Sequence, residues 1–228
     1  MKKIDLYFIL IIAVFFAPFF LSETVFDAYI QFNAAHGMIT SFIKFAILAT
    51  LGEVIGLRIK SGTYYQKGFG LIPRAIVWGF LGLTIKLAFV IFAVGTPTFL
   101  AYLGMTEAPT LMAQKAFSTD KLLVAFSISF AMNLIYAPVM MTLHKITDMH
   151  IIENQGTLAG FFKPISFGKY FVNLNWDVQW NFVFKKTIPF FWIPAHTITF
   201  MLPPDFQVLF AALLGIALGV ILAIAANK

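Results

Sequence analysis

Apolar residues in this sequence form long blocks, and polar residues are confined mostly to the intervals between them. A membrane-spanning helix needs about 20 predominantly apolar residues to cross a hydrocarbon layer about 30 Å thick. The alternation typical of strands is absent over long windows, which argues against a barrel. Six blocks approach the helical length: residues 6–22, 38–57, 71–94, 122–143, 188–202 and 206–226. The pattern predicts an all-α, polytopic bundle of transmembrane helices.

The fifth block, residues 188–202, is the shortest of the six and contains Pro189 and Pro194. About 15 residues form a helix only about 22 Å long, which is shorter than the hydrocarbon layer is thick. Such a segment either crosses a locally thinned bilayer or enters it and returns. We therefore predict five membrane segments and a sixth, at 188–202, that crosses or re-enters.

The first block, residues 6–22, follows Lys2 and Lys3, an order that is also found in secretory signal peptides. No A-x-A-like cleavage site follows it in residues 20–25. We therefore predict a retained, extra N-terminal helix within a single transmembrane domain that comprises residues 1–228.

The distribution of Lys and Arg predicts the orientation, because short cytoplasmic loops are enriched in both. The first interval holds only acidic charges, whereas the second holds Arg58, Lys60 and Lys67. The long interval 144–187 is again basic, and its tryptophans suit the headgroup level. These biases predict a cytoplasmic N-terminus and a cytoplasmic, interfacial segment at 144–187. The side of the C-terminus depends on whether 188–202 crosses.

The composition of this 228-residue chain supports a membrane location. Hydrophobic residues make up 60% and charged residues 11%, against about 25% charged residues in soluble domains. The mean hydropathy of +0.87 agrees. These values exclude a soluble globular enzyme and make the lipid bilayer the principal partner. The net charge of +6 comes from scattered residues, which argues against nucleic-acid binding, and there is no Cys for a disulfide or a thiol nucleophile.

Charges inside the apolar blocks are the most informative residues, because charges in a membrane usually face the bundle interior, a partner or water. Glu53 lies near the cytoplasmic end of its block and Arg74 near the cytoplasmic start of the next. Their similar depth predicts an ion pair. The pair either joins two helices or forms a charged vestibule on a solute path.

Lys86 lies deeper in the third block, and no acidic residue of another block matches its depth. Ser129 and Asn133 lie at comparable depth in the fourth block and are candidate hydrogen-bond partners. Lys86 then either lines a water-filled cavity, where it would attract anions, or extends along its own helix to the interface.

Small residues recur at three- and four-residue spacing in three blocks, a pattern that lets membrane helices approach closely. The positions are Gly52, Gly56, Gly79, Gly82, Ala211, Gly215, Gly219 and Ala223. Because three blocks carry such faces, we predict packing within one chain and leave the oligomeric state open.

His144, Asp148, His150 and Glu153 raise the question of a metal site. Their spacing matches no H-E-x-x-H arrangement, and a catalytic zinc needs three convergent ligands. We interpret them as a solvated helix end without a metal. No Walker loop, G-x-S-x-G elbow or dinucleotide fingerprint occurs, so we predict neither an enzyme nor a cofactor.

The stretch Trp-Ile-Pro-Ala-His-Thr-Ile-Thr-Phe-Met-Leu-Pro near the C-terminus resembles the signature of the Mpv-seventeen and peroxisomal membrane protein family, which is close to W-x-P-x-Q-x-x-N-F-x-x-V-P-x-x-x-R. Four positions match the signature: Trp192, Pro194, Phe200 and Pro203. Three polar positions differ: His196 stands for Gln, Thr199 for Asn and Gln207 for Arg.

Earlier landmarks are also similar to the family, over residues 40–226. Glu53 falls at the acid of the family's Gly-Asp pair, Arg74 at its Arg before the second helix, and Lys86 at the His of its G-P-x-x-H motif. The family's Asp-Gln pair is not visible. Family members are small helical proteins of mitochondrial inner and peroxisomal membranes, with bacterial relatives, and are thought to be channels. The resemblance implies a channel-like role, in a bacterial inner membrane in preference to an organellar one.

Three functions remain open from the sequence. The first is a pore for a small solute or ion, lined near Glu53, Lys86 and His196. The second is a membrane scaffold or assembly protein without a transport path. The third is an intramembrane enzyme, for which no nucleophile and base are recognisably paired.

Overall fold

The computed structural model describes residues 2–114 and 116–225, the last four by their backbone alone. The protein is 83% helical, and the described residues form no strand. Within the part of the chain that the structure describes, five helices are long and apolar enough to cross a membrane: α1 (Lys3–Leu21), α3 (Gly37–Ser61), α4 (Leu71–Tyr102), α6 (Thr119–Glu153) and α11 (Pro204–Ala225). The chain is therefore an integral membrane protein with an all-α, polytopic fold, as its apolar blocks predicted.

Shorter helices connect these five. They are α2 (Glu23–Ala35), α5 (Ala108–Leu111), α7 (Leu158–Phe161), α8 (Phe167–Val172) and α9 (Trp176–Val178). The helix α2 occupies the first predicted loop. Its start is capped by Ser22, whose hydroxyl accepts a hydrogen bond from the backbone N–H of Val25.

Two long helices extend well past the apolar blocks that predicted them. The third block ends at residue 94, whereas α4 continues to Tyr102. The fourth block ends at residue 143, whereas α6 continues to Glu153 and is capped at its start by Ser118. An apolar block marks the part of a helix that is in contact with lipid or core, and polar turns extend the helix beyond it.

The proline-containing sixth segment is part of a helix that continues without a break through residues 176–201. It consists of α9, a π-helix (Gln179–Trp192) and α10 (Ile193–Met201), with 3, 14 and 9 residues. Pro189 and Pro194 both lie inside this continuous helix, where each removes one backbone hydrogen-bond donor. The helix does not reverse, and it packs along α6.

The chain divides into two compact units, residues 1–40 and residues 41–228. In the first unit, α1 and α2 pack together, and the ring of Phe19 meets that of Tyr29 edge to face at 5.8 Å. Near its end, the hydroxyl of Thr40 donates to the side-chain oxygen of Asn33 at 2.9 Å. The predicted extra N-terminal helix belongs to this unit.

The second unit contains the remaining long helices, with α6 at its centre. Val124, Ala125 and Ile128 on α6 are completely buried. The helices α3 and α11 meet at glycines: a Cβ added to Gly52 would lie 2.9 Å from the Cα of Ile216, and one added to Gly219 would lie 3.1 Å from the carbonyl oxygen of Gly52.

The other predicted small residues have distinct neighbours. Gly79 faces the ring of Phe42, and Gly82 faces the backbone of Ser41. Gly56 approaches Gly219 less closely, and Ala211 is buried. Gly215 faces Ala49. The side chain of Ala223 lies outside the described residues.

Candidate functional site

A network of charged and polar side chains, which we call the charge cluster, joins α3, α4 and α6. It comprises Glu53, Arg74, Trp78, His144 and Asp148. The Nη1 atom of Arg74 donates to Oε2 of Glu53 and to Oδ1 of Asp148, each at 2.6 Å. The indole nitrogen of Trp78 donates to Oε1 of Glu53 at 2.8 Å, and Nε2 of His144 lies 3.3 Å from the same oxygen. The predicted ion pair of Glu53 and Arg74 is thus present, within a larger network.

The segment before α4 holds Arg74 in place. Gly70, with φ of +72°, packs so tightly on Gly156 that a Cβ on Gly156 would lie 2.5 Å from the nitrogen of Gly70. This contact joins the start of α4 to the turn after α6. It brings Arg74, in the first turn of α4, against Asp148 on α6. The guanidinium also donates through Nε to the carbonyl oxygen of Phe69 at 2.7 Å and lies over the ring of that residue.

The interpretation of His144 and Asp148 as a solvated helix end is wrong. Because α6 continues to Glu153, both residues lie on a helix face that is turned towards the bundle, and their side chains are only 20% and 13% exposed. His150 is buried, and its Nε2 lies 3.1 Å from the carbonyl oxygen of Phe161. Only Glu153 of this set is at the surface, where it binds Lys169 at 2.5 Å.

Glu53, His144 and Asp148 offer ligand atoms within 4.8 Å of one another, a spacing that a metal ion could use. Arg74 already binds both carboxylates. The guanidinium carries a permanent positive charge, so it would repel a divalent cation and compete with it for the same carboxylate oxygens. The geometry therefore fits an ion-pair network better than a metal centre.

A cavity of about 350 Å³ begins at the charge cluster and extends into the second unit. Its walls come from α3, α4, α6, the π-helix, α10 and α11. Most of the lining is apolar, with Phe, Met, Ile, Val, Leu and Ala side chains. The polar lining includes Glu53, His144, Lys145 and Asp148 towards one end of α6, and Asn133 and His196 farther along. This volume falls within the usual range of small-molecule sites, which begins at about 300 Å³.

The inner polar group of the cavity is buried and largely hydrogen-bonded. Nδ2 of Asn133 donates to the carbonyl oxygen of Ser129 at 2.8 Å, and Nδ1 of His196 lies 3.3 Å from Oδ1 of Asn133. The hydroxyl of Ser129 donates to the carbonyl oxygen of Ile193 at 2.7 Å. The ring of Trp192 stacks on that of His196. These contacts fix α6 to α10.

Two further donors at the cavity have no acceptor among the described residues. They are Nε2 of Gln179 and Nε1 of Trp192, and both atoms are shielded from solvent. Leaving a buried donor unpaired costs about 1–3 kcal/mol. Because these two nitrogens are buried without an acceptor, the cavity differs from a gap that is left by imperfect packing alone.

Lys86 is partly buried and is not among the residues that line this cavity. It interacts electrostatically with Lys44 on α3, which in turn interacts with Asp205 at the start of α11. The polar atoms of Ser129 and Asn133 are bonded to one another, to Ile193 and to His196. Of the pore residues predicted, Glu53, Asn133 and His196 line the cavity, and Arg74 binds Glu53.

Sequence reasoning missed Trp78 and Gln179. Trp78 lies four residues after Arg74 and therefore shares its helix face, a signal that was available. Gln179 lies in a polar interval and acquires its position only through the π-helix, which no local pattern predicted.

Comparison of the chain with known protein families, with characterised proteins and with solved structures finds no match. Among the residues that resemble the Mpv-seventeen signature, Trp192 lines the cavity, Phe200 is buried, and Pro203 lies between α10 and α11. Function must therefore be argued from the site itself.

Proposed function

We propose that this integral membrane protein is a pore for a small solute and that the path of the solute includes the cavity. The observation that carries this proposal is the cavity itself, which lies between membrane-spanning helices and begins at the charge cluster. Ionisable residues inside a membrane bundle usually mark a pathway or a binding site. The π-helix along one wall is consistent with this, because π-helical turns occur frequently at functional sites.

The orientation in the membrane is part of the same proposal. The basic interval after α3 favours the cytoplasm, and the charge cluster lies at that end of α3 and α4. The cavity would then begin near the cytoplasmic side. The resemblance to the Mpv-seventeen family supports a channel-like role, and its bacterial relatives support the bacterial inner membrane as the location.

Reconstitution into liposomes tests the proposal. We would measure the flux of ions and small metabolites for the wild type and for Met140→Cys, before and after a methanethiosulfonate reagent adds bulk to the thiol. Met140 lines the cavity, and the natural chain has no other thiol. Because the reagent acts on the folded protein, a loss of flux would not reflect misfolding.

The matched control is Val139→Cys, since Val139 is the preceding residue on α6 and is 58% exposed on the outer surface. We expect the reagent to block flux in Met140→Cys and to leave it unchanged in Val139→Cys. Absence of flux in the unmodified protein, or equal loss in both variants, would contradict the pore.

A membrane scaffold is the second candidate, and the position of Lys86 favours it. A lysine within the spanning helix α4 that does not line the cavity is not explained by a solute path. A protein that shows no flux yet stabilises a partner membrane complex would support this alternative.

A further inference from the structure

The unpaired donors of the cavity indicate what it binds. Gln179 is only 6% exposed, and its amide nitrogen, like the indole nitrogen of Trp192, lacks an acceptor among the described residues. Both residues line the cavity. Because both nitrogens are fully buried, a ligand in the cavity would accept from them once the two side chains rotate towards it, and it would then recover the cost of leaving them unpaired. A purely apolar ligand would leave that cost in place.

The shape of the cavity restricts the ligand further. Its lining on α6 extends from Met132 to Asp148, which corresponds to about 24 Å along the helix. A volume of about 350 Å³ over such a length is narrow. Apolar side chains such as Phe45, Phe89 and Leu218 line most of it. A flexible hydrocarbon chain fits these walls, whereas a hydrated ion would lose its water without replacement ligands.

The polar end of the cavity suits an anionic head group. Lys145 lines this end, its side chain is 54% exposed, and its Nζ lies 3.9 Å from Oδ2 of Asp148. Glu53 and Asp148 are both bound by Arg74, which reduces their repulsion of an anion. Gln179 lines the cavity at the start of the π-helix and provides an uncharged donor.

We propose that the cavity binds a long-chain carboxylate, with its carboxyl group at Gln179 and Lys145 and its chain directed towards Trp192. The free indole N–H of Trp192 selects for a chain that carries an oxygen substituent. This inference assigns a ligand to the cavity of the pore proposed above and in that sense rests on that proposal, but binding is measured independently of flux.

The test uses the full chain in lipid nanodiscs and palmitate that carries a photoreactive diazirine. After illumination, peptide mass spectrometry locates the adduct. We expect adducts on cavity-lining residues such as Met132 or Val183.

Gln179→Leu should reduce labelling about tenfold, because the lost bond is made to a charged group. Trp180 is exposed on the same helix, so the control substitution Trp180→Phe should leave labelling unchanged. Gln179→Glu provides a polar variant of similar size, and its added negative charge should also reduce labelling.

Competition separates the role of the chain from that of the head group. Stearate should compete with the probe and octadecane should not. A stearate with a hydroxyl group in mid-chain should compete about fivefold better than stearate itself, and Trp192→Phe should remove that difference. Adducts confined to lipid-facing residues such as Leu134, or equal competition by octadecane, would overturn the inference.

The two proposals can fail separately. Adducts in the cavity without any flux would leave the carboxylate site standing and remove the pore. Flux that is blocked at Met140→Cys, combined with no adduct in the cavity, would leave the pore standing and remove the carboxylate.

Discussion

Nη1 of Arg74 lies 2.6 Å from Oδ1 of Asp148, although 74 residues separate the two in the sequence. The same guanidinium atom binds Glu53. One cation therefore holds three spanning helices together, because Glu53 is on α3, Arg74 on α4 and Asp148 on α6. The contact depends on the last three turns of α6, which lie beyond its apolar block.

Arg74→Leu should destabilise the protein strongly. Removing the guanidinium leaves the carboxylates of Glu53 and Asp148 in a largely buried place without their shared cation, at a cost of about 3–5 kcal/mol. Thermal unfolding in detergent measures the effect. Lys169→Leu is the control, because its bond to Glu153 is exposed at the surface and contributes little to stability. Equal unfolding temperatures for the two variants would refute the role assigned to Arg74.

Gly52→Ala should weaken the packing of α3 against α11. The added Cβ would lie 2.9 Å from the Cα of Ile216, so one helix backbone must shift, with an expected cost of about 1–3 kcal/mol. Gly95→Ala, inside α4, is the matched substitution, because a Cβ there meets no other atom within 4 Å. It should be neutral or stabilising by about 0.5–1 kcal/mol. The prediction fails if both variants shift stability in the same direction.

Lys86→Met should raise the unfolding temperature by a few degrees. The substitution keeps an unbranched side chain that is one atom shorter, removes a charge from a spanning helix and relieves repulsion with Lys44. Lys121→Met should act in the opposite sense, because the buried ammonium group of Lys121 donates to the carbonyl oxygen of Gln114. A comparable loss of stability in both variants would show that Lys86 has a structural role.

The orientation can be tested by cysteine labelling, since the natural chain has no thiol. Ser61 ends α3, Glu107 follows α4, and both are exposed. An impermeant reagent added to intact cells should label Glu107→Cys, whereas Ser61→Cys should react only after permeabilisation. The reverse pattern would invert the topology and place the charge cluster near the outer surface.

The long apolar blocks were sufficient to predict the spanning helices, because length and hydropathy are strongly constrained by the bilayer. Helix ends were less predictable. His144 and Asp148 resemble loop residues by composition, yet they are helical, because their charges are neutralised by partners on α3 and α4. Such compensation depends on residues distant in sequence and leaves no local pattern.

The candidate site was predictable only in part. Glu53 and Arg74 were paired correctly, because two charges at matching depth in adjacent segments have few other partners. The sequence does not connect Asp148 to them, because it predicts a solvated helix end for the segment that contains Asp148. The sequence indicates partners for Lys86 by depth alone, and depth does not specify which face of a helix a residue occupies. In the structure, Lys86 interacts electrostatically with Lys44 of α3 instead.

The close contact of α3 with α11 also makes a covalent connection feasible. A Cβ at Gly215 would lie 3.9 Å from the Cβ of Ala49, and disulfide-bonded cysteines place these atoms about 3.5–4.5 Å apart. The double variant Ala49→Cys, Gly215→Cys would therefore carry a pair of thiols positioned for oxidation in a chain with no competing cysteine. An oxidant would form the disulfide and fix α3 to α11, and a reductant would break it. A mobility shift on a non-reducing gel would therefore show whether α3 and α11 remain in contact.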